Sequence, residues 1–267
     1  AYIPIRFQSA VCSVVVVVVR LQIRAIRFRQ CRRCGKGVNK GIFLRDLRQL
    51  LPEGREYLPE AVYGYILREH LFGTKADLSK LSDKHLRAVS YSMVKAKRLP
   101  HIKGIEETAV ALAKFWGVDE EMARRAAILH DCTKYWELEP QLATCEKYGV
   151  ALDELEQTSV KLLHSKTGAA LAEHVFCEPK EECEAIFSHT TGKAGMTKLD
   201  KILYLADYME PTRDFDGVEE LRRLVWEDLD QAMILGLEMS SDELKERGVP
   251  VHRNTLAALE DLQRRQQ

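Results

Sequence analysis

After residue 75, apolar residues in the chain recur with helical spacing, and short connections rich in glycine and polar residues separate the repeats. A period near 3.6 residues indicates amphipathic helices, and almost nothing after residue 60 alternates as a half-buried strand does. The pattern therefore predicts an all-α fold. The predicted helices span residues 78–94, 105–115, 119–129, 138–148, 165–176, 180–189, 197–208, 218–226, 229–239 and 254–263.

Residues 1–75 depart from this pattern and are predicted to form an N-terminal extension. Six valines at 14–19 precede an arginine-rich stretch. This apolar run is too short to span a bilayer. A signal peptide is disfavoured because the charges follow the run and no small-residue cleavage site is clear. A buried strand and a poorly ordered or damaged terminus both fit residues 1–40.

A domain boundary is predicted at the end of this extension. Residues 61–72 have a helical pattern, with Pro59 just before the start of the helix. The stretch at 73–77 has the composition of a connection. We therefore predict an extension at residues 1–75 and a second domain at 76–267.

Charge and cysteine content narrow the functional classes. The 40 Lys and Arg residues match 40 Asp and Glu residues, so there is no general electrostatic attraction to nucleic acid or membranes. The seven cysteines are odd in number and the later ones lie inside helical patterns, which indicates reduced thiols in the cytoplasm. Cys31 and Cys34 form a single CxxC pair, for which a zinc or redox site is the alternative interpretation.

The most unusual stretch is AAILHDCTKYW at residues 126–136. Here an apolar helix runs into His130 and Asp131, and Lys134 follows three residues later. Burying an imidazole, a carboxylate and an ammonium at one helix end costs free energy unless each has a partner. A metal ion is the partner that suits adjacent His and Asp side chains.

Similar polar residues stand at or near the ends of other predicted helices. Four imidazoles and two carboxylates are enough for one or two first-row divalent ions, with positions open for water and phosphate. A lone histidine is usually structural, and we assign that interpretation to His70, His85, His174 and His252. The remaining four histidines and two aspartates follow one another in an order that favours a metal site. The candidate ligands are His101, His130, Asp131, His164, His189 and Asp207.

The order of these residues and their flanking segments resembles the HD-domain metallophosphohydrolases of the YqeK type. The resemblance covers about residues 80–260 and rests on several motifs in order, whereas a bare His-Asp dipeptide would be a weak signal. It implies an HD-domain helical bundle for the second domain. The small irregular N-terminal extension at residues 1–75 is a departure, because the hydrolase pattern does not include it, and it leaves the site residues in place. The motifs are Leu99-Pro100-His101, Ile128-Leu129-His130-Asp131 with Lys134, Leu162-Leu163-His164, Ser188-His189-Thr190-Thr191-Gly192, Met196-Thr197, Leu199-Asp200-Lys201, and Leu205-Ala206-Asp207 running on to Thr212-Arg213.

The resemblance further implies symmetrical hydrolysis of diadenosine tetraphosphate to two ADP at a centre of two divalent ions. Iron is the first choice, and manganese, cobalt and magnesium are alternatives. Such a pair lowers the pKa of a bridging water and neutralises phosphate oxygens. The catalytic Asp131 is expected to bridge the ions. The implied ligands are His101, His130, Asp131 and Asp207 for one ion, and His164, His189 and Asp131 for the other.

Substrate contacts are expected around that centre. Lys134 is predicted to take a catalytic part by meeting a phosphate or orienting Asp131, with a plain ion pair as the alternative. Arg213 has the planar donor pattern that clamps phosphate in bidentate fashion. Thr190 and the backbone of Gly192 are predicted to line the phosphate path.

Residues 41–73 resemble the C-terminal tail of bacterial nicotinate-nucleotide adenylyltransferases, through a short helix, the segment Leu58-Pro59-Glu60 and the helix after it. The phosphate-contacting Ser-Ser-Thr element of that family is absent, because Lys40-Gly41-Ile42-Phe43 stands in its place. The resemblance implies a remnant of a fused or truncated adenylyltransferase without that activity. The expected partners are a nucleotide substrate and either a second copy of the chain or the adenylyltransferase of NAD biosynthesis.

Two alternatives stay open at this point. One is another HD-type phosphohydrolase acting on nucleoside monophosphates, dNTPs or a cyclic dinucleotide, although the second pair of ligands, His164 and His189, argues for the tetraphosphatase. The other is a non-catalytic partner of an adenylyltransferase that docks through residues 1–75. For such a partner, alanine at the ligand positions would be tolerated.

Overall fold

The computed structural model describes residues 58–266, which form eleven α-helices and no β-strand, so the predicted all-α class is confirmed. Short 3₁₀ turns at Leu71–Gly73, Leu78–Lys80, Ala96–Arg98 and Glu156–Thr158 connect some of them. The helices are α1 Glu60–Arg68, α2 Asp83–Tyr91, α3 Leu99–Trp116, α4 Glu120–Leu129, α5 Leu138–Lys147, α6 Val160–His174, α7 Lys180–Ser188, α8 Lys198–Met209, α9 Val218–Leu224, α10 Leu229–Glu246 and α11 Arg253–Arg264.

Two helices begin earlier than the pattern predicts. α3 begins at Leu99 instead of residue 105, because Pro100 is accepted in a first helical turn, where its missing N–H has no intrahelical partner to lose. α6 begins at Val160 instead of residue 165. As a result, His101 and His164 are held by helical backbone.

Two other predicted helices are shorter than expected. The segment predicted as 78–94 is a 3₁₀ turn followed by α2, because the Asp77 carboxylate accepts the Ser79 N–H at 3.1 Å and starts a separate turn. The segment predicted as 61–72 leaves the helix after α1, and His70 and Phe72 have φ values of 49° and 57°. Left-handed backbone at these residues is incompatible with a continuing α-helix.

The chain divides into two compact units between Met93 and Val94. In the first unit α1 packs on α2. Gly64 makes this approach possible, because a Cβ there would lie 1.7 Å from the Ala88 carbonyl oxygen. The predicted domain boundary near residue 75 stays a prediction. The valine run, the Cys31 and Cys34 pair and residues 41–57 of the tail-like segment lie outside the described residues.

The second unit is built around α8, which packs against α3, α4, α7 and α10. A helix surrounded in this way must be apolar on most of its circumference. Accordingly, Ile202, Leu203 and Leu205 are buried. Around this centre α3 packs on α4, α6 on α7, α5 on α6, and both α9 and α11 on α10. Within residues 58–266, no helix combines the length and apolar character needed to cross a bilayer.

Candidate metal centre

All six predicted ligands come together in the second unit, most of them at helix ends. Two triads share Asp131: the ligand atoms of His101, His130 and Asp131 lie within 4.8 Å of one another, as do those of Asp131, His164 and His189. The supporting positions are the first turn of α3 for His101, the turn after α4 for His130 and Asp131, the second turn of α6 for His164, the residue after α7 for His189, and the last turn of α8 for Asp207.

Three of the imidazoles are oriented through Nδ1. His130 Nδ1 lies 2.6 Å from the Ala127 carbonyl oxygen, and His189 Nδ1 lies 2.7 Å from that of Ile186. His101 Nδ1 is 2.9 Å from a carboxylate oxygen of Glu210. Because these partners only accept, each Nδ1 carries the proton, and each Nε2 of a neutral ring presents a lone pair. This is the usual arrangement of histidines that ligate metals.

Asp131 lies between the two triads and is fully buried. Its Oδ1 is 3.1 Å from His164 Nε2 and 3.9 Å from His189 Nε2. Its Oδ2 is 3.5 Å from His130 Nε2 and 4.0 Å from His101 Nε2. One carboxylate therefore presents one oxygen to each triad, as a bridging ligand does.

The lone pairs of two histidines in the cluster face each other, which favours a bound cation. His164 Nε2 accepts from Lys134 Nζ at 3.0 Å, since an ammonium can only donate. It also faces His189 Nε2 at 3.1 Å, and that atom too presents a lone pair. Two lone pairs at this distance repel each other unless a positive ion lies near both.

Other buried atoms of the cluster also lack hydrogen bonds. Although several polar atoms come within 4 Å of them, the alignment needed for a hydrogen bond is missing. Such atoms are costly in a folded protein without a further partner. The cluster atoms without a hydrogen bond are His101 Nε2, His130 Nε2, His164 Nδ1 and Asp131 Oδ1, of which Asp131 Oδ1 has an ion pair with Lys134. The residues present therefore fit a metal ion.

Electrostatics prepares the ligands in the protonation states that metals require. Burial lowers the pKa of His164 and takes that of His189 well below its ordinary value, and neighbouring positive charges add to both effects. Burial opposes ionisation of Asp131 and Asp207, but interactions with the neighbouring imidazoles and with Lys134 hold the pKa values of both carboxyl groups well below the usual range. Neutral imidazoles and ionised carboxylates are the forms that bind divalent ions.

Two cations contact the bridging carboxylate. Arg98 donates from Nε to Asp131 Oδ2 at 2.7 Å, and its Nη2 is 2.6 Å from the same oxygen. Lys134 Nζ lies 3.3 Å from Asp131 Oδ1. Lys134, as predicted, is beside Asp131 and partly exposed, so it can also reach a group entering from solvent.

Asp207 stands at the edge of the cluster. Its Oδ1 lies 3.1 Å from His101 Nε2. Arg213, predicted to clamp phosphate, donates from Nη2 to Asp207 Oδ1 at 2.8 Å and from Nε to the Asp207 carbonyl oxygen at 3.0 Å. Its contact with phosphate stays a prediction. These two bonds orient Asp207 and leave one third of the Arg213 side chain exposed.

Thr190 and Gly192, the two other predicted phosphate contacts, lie in different surroundings. Thr190 Oγ1 is 3.1 Å from Ser165 Oγ and follows His189 directly. Gly192 has a φ of 68°, and a Cβ there would lie 3.2 Å from the Ala258 Cβ of α11. Glycine at this position is explained by the turn and by close packing.

Two functional candidates were missed by the sequence analysis. Arg98 precedes the Leu99-Pro100-His101 motif and is one turn from His101, a spacing that could have suggested a shared site. Glu210 lies inside the last motif, between Asp207 and Thr212. No local pattern pairs it with His101, from which it is separated by 109 residues.

Known proteins are similar to this chain in sequence. The family description "HD domain" matches residues 98–212. The symmetrical bis(5'-nucleosyl)-tetraphosphatase of Halalkalibacterium halodurans is 36% identical over 166 residues, which cover 62% of this chain and 88% of the relative. The protein of the same name from Bacillus subtilis is 36% identical over 161 residues, covering 59% of this chain and 85% of the relative.

A longer relative and a solved structure extend the comparison. The probable nicotinate-nucleotide adenylyltransferase/Ap4A hydrolase of Mycoplasma genitalium is 30% identical over 202 residues, covering 72% of this chain and 52% of the relative. The crystal structure of a predicted HD superfamily hydrolase involved in NAD metabolism, from Clostridium acetobutylicum, is 34% identical with a TM-score of 0.67, covering 69% of this chain and 98% of that one. Together with the cluster, these matches place the chain in the HD-domain family of symmetrical bis(5'-nucleosyl)-tetraphosphatases.

Proposed function

We propose that the protein hydrolyses diadenosine tetraphosphate symmetrically to two ADP. The observation that carries this proposal is the pair of buried triads sharing Asp131, in a chain whose relatives are named for that activity. The reaction adds one water to one of the two central phosphorus atoms and breaks its bond to the central bridging oxygen. That oxygen leaves with the second ADP.

We propose that two divalent ions occupy the centre, with iron first and manganese, cobalt or magnesium as alternatives. Bound there, the ions would activate water and withdraw charge from the phosphate oxygens. His101, His130, Asp131 and Asp207 would hold one ion. His164 and His189, again with Asp131, would hold the other.

Cationic side chains of the protein would contact the phosphate groups of the substrate. Lys134 is partly exposed beside the bridging carboxylate, and its ammonium can meet a phosphate oxygen without leaving the site. Arg213 fixes Asp207 through two donors and keeps part of its guanidinium open to solvent. Charge-assisted hydrogen bonds from such groups favour a polyphosphate over an uncharged substrate. Thr190 and Gly192 stay proposed as neighbours of the phosphate path.

A substrate panel tests the proposal. Purified protein is loaded separately with Fe²⁺, Mn²⁺, Co²⁺ or Mg²⁺ and given diadenosine tetraphosphate, diadenosine triphosphate, dNTPs, nucleoside monophosphates and a cyclic dinucleotide. We expect ADP as the only product of the tetraphosphate, with ¹⁸O from labelled water in one of each two ADP molecules. Release of ATP with AMP, or preference for another substrate class, would contradict the proposal.

We also propose that residues 41–73 form a segment like the C-terminal tail of an adenylyltransferase, joined to a hydrolase domain at residues 76–267. The supporting observation is the Mycoplasma genitalium relative, whose name combines both activities and of which this chain spans about half the length. A pull-down with a nicotinate-nucleotide adenylyltransferase tests the link, and size-exclusion chromatography tests the homodimer alternative.

The free thiols of Cys132, Cys145, Cys177 and Cys183 agree with the proposed cytoplasmic location.

A further inference from the structure

We infer that Glu210 is a positioning residue, which holds His101 in one tautomer and orientation and thereby raises the affinity of the centre for a divalent ion. The inference rests on the metal-binding role proposed above. It concerns a residue that is fully buried and lies just past the end of α8. Glu210 is not one of the proposed metal ligands.

The contact with His101 determines which nitrogen is available. Glu210 Oε1 is 2.9 Å from His101 Nδ1. An ionised carboxylate accepts hydrogen bonds and donates none, so the proton of His101 must be on Nδ1. The Nε2 lone pair then faces Asp207 Oδ1 at 3.1 Å and Asp131 Oδ2 at 4.0 Å. Three acceptor atoms converge there, a set that positive charge stabilises. Arg98 Nη2, at 2.6 Å from Asp131 Oδ2 and 3.9 Å from Asp207 Oδ1, supplies part of that charge and leaves His101 Nε2 available to a metal ion.

His101 differs in this respect from the two other oriented imidazoles. His130 and His189 donate to the backbone carbonyl oxygens of Ala127 and Ile186. Those acceptors are neutral, whereas the acceptor of His101 is a charged side chain. A carboxylate behind the ring makes Nε2 a stronger donor to a metal, and such partners typically change metal affinity 10- to 100-fold.

Both oxygens of Glu210 are needed as acceptors. Oε2 accepts the backbone N–H of Thr212 at 2.7 Å, and Oε1 accepts the Thr212 hydroxyl as well as His101. A glutamine of the same shape has to turn its NH₂ group toward one of these donors. Glu210→Gln therefore breaks the arrangement with almost no change in volume.

The backbone around Glu210 is held in place by Arg222. Its guanidinium donates to the carbonyl oxygens of Met209 and Glu210 at 2.9 Å and to that of Arg213 at 2.8 Å. Three carbonyl groups, one in the last residue of α8 and two beyond it, are thus tied to α9. The carboxylate accordingly approaches His101 from a rigid turn.

Gly104 gives the carboxylate its space. It lies one turn along α3 from His101, and a Cβ there would be 2.4 Å from Glu210 Oε2. Within a helix, alanine is otherwise preferred to glycine by roughly 1 kcal/mol. Gly104→Ala therefore displaces the carboxylate without changing any proposed ligand, and it provides a second test that is independent of Glu210→Gln.

Metal affinity is the first measurement. Metal-free protein is titrated with Co²⁺ in competition with a chromophoric chelator, and d–d absorption reports the ligands. We expect Glu210→Gln and Gly104→Ala to weaken one of the two cobalt sites about 10- to 100-fold, and Glu210→Asp to recover part of the loss. The matched control is Glu107→Gln, which removes the same charge from an exposed position on α3 and should leave both sites unchanged.

The tautomer of His101 is the second measurement. Proton–nitrogen correlation spectra of metal-free, ¹⁵N-labelled protein distinguish an Nδ1–H imidazole from an Nε2–H imidazole. We expect Nδ1–H for His101 in the wild type and its loss in Glu210→Gln, while His130 and His189 keep theirs. A structural role alone would not alter one ring selectively.

Some results would overturn the inference. Equal cobalt affinity in wild type and both variants, with the tautomer of His101 unchanged, removes the positioning role but leaves the proposed function intact. Equal weakening of both sites together with a lower melting temperature assigns Glu210 a general structural role. Absence of cobalt binding in the wild type overturns the metal centre itself, and the positioning role with it.

Discussion

The candidate metal centre and a second cluster, formed by Asp153, Glu156 and His252, contain the same kinds of side chain within the same distance of one another. In the centre, Nδ1 of His130 and of His189 donates to backbone, which leaves Nε2 unprotonated and aimed at the neighbouring ligands. In the second cluster, His252 Nδ1 accepts the backbone N–H of Asn254 at 3.2 Å. Its proton is therefore on Nε2, which donates to Asp153 Oδ2 at 2.9 Å.

The charges of the second cluster are also paired. Arg253 Nε lies 3.2 Å from Asp153 Oδ2, and Lys166 Nζ lies 3.4 Å from Glu156 Oε1. No side-chain N or O atom of Asp153, Glu156 or His252 is among the buried atoms of residues 58–266 that lack a hydrogen bond. The two clusters therefore differ in whether histidine Nε2 carries a proton. An unprotonated Nε2 is available to an ion, whereas a protonated Nε2 forms a structural hydrogen bond. The second cluster connects the 3₁₀ turn at Glu156–Thr158 to the start of α11.

The largest effect should come from Asp131→Asn. The change keeps the shape but removes the negative charge shared by both triads, so we expect loss of bound metal and a fall in hydrolysis of more than about 100-fold, since losing even an outer partner costs 10- to 100-fold. Metal analysis and steady-state kinetics measure this. A variant with full metal content and near-normal activity would show that the Asp131 charge is not needed to hold metal. The two clusters would then no longer differ in this function.

Lys134→Met should have the next largest effect. Removing an ammonium that meets phosphate costs about 1.5–3 kcal/mol, or roughly 10- to 100-fold in nucleotide affinity. Metal content should be kept, because a competing cation leaves Asp131 and His164. Calorimetry with ADP measures the affinity, and Lys161→Met, at an exposed position on α6, is the control. An unchanged ADP affinity would reduce Lys134 to an ion pair.

His252→Ala should affect stability and leave the chemistry unchanged. The substitution removes the acceptor that caps α11 and the donor to Asp153, so we expect a loss of about 1–3 kcal/mol in the free energy of unfolding. Metal content and hydrolysis should match the wild type after correction for folded protein. Denaturant titration and metal analysis check both points. Selective loss of a metal ion would show that the second cluster is an ion site after all.

The smallest effect concerns pH and Asp153→Asn. Burial opposes ionisation of Asp153, but the Glu156 N–H, His252 and Arg253 together lower its pKa from the usual 3.8. A lowered pKa contributes stability above pH 3.8 that is lost as pH falls through the folded-state value. The wild type should therefore melt a few degrees above the variant at pH 7, and the gap should narrow below about pH 3.8. A constant gap would mean that the charge of Asp153 contributes nothing.

Much of the centre could be predicted from the sequence, because its ligands interrupt apolar helices at their ends. His130 and Asp131 are visible as a local anomaly, and their assignment to one cluster is matched by the distances in the structure. Helix starts were less predictable. The early start of α3 depends on Pro100 in a first turn, which the pattern treats as a break.

Other features have no local signal. The contact between Glu210 and His101 joins residues 109 positions apart, and the Cβ clash that explains Gly104 exists only once α3 and α8 have packed. The contacts of Arg213 also have no local signal in the sequence. Its position in the sequence predicts a contact with phosphate, which stays a prediction. Its bonds to Asp207 depend on the turn that follows α8, and the sequence does not show that turn.

By itself, the sequence determined the all-α class, the order of the candidate ligands and their placement near helix ends, because helical periodicity and its interruptions are local properties of the chain. Only the tertiary structure decided which histidines present a lone pair and which present a proton. That choice depends on the hydrogen-bond partner of the other ring nitrogen, which packing supplies: a carbonyl oxygen or Glu210 in the metal centre, and a backbone N–H at His252.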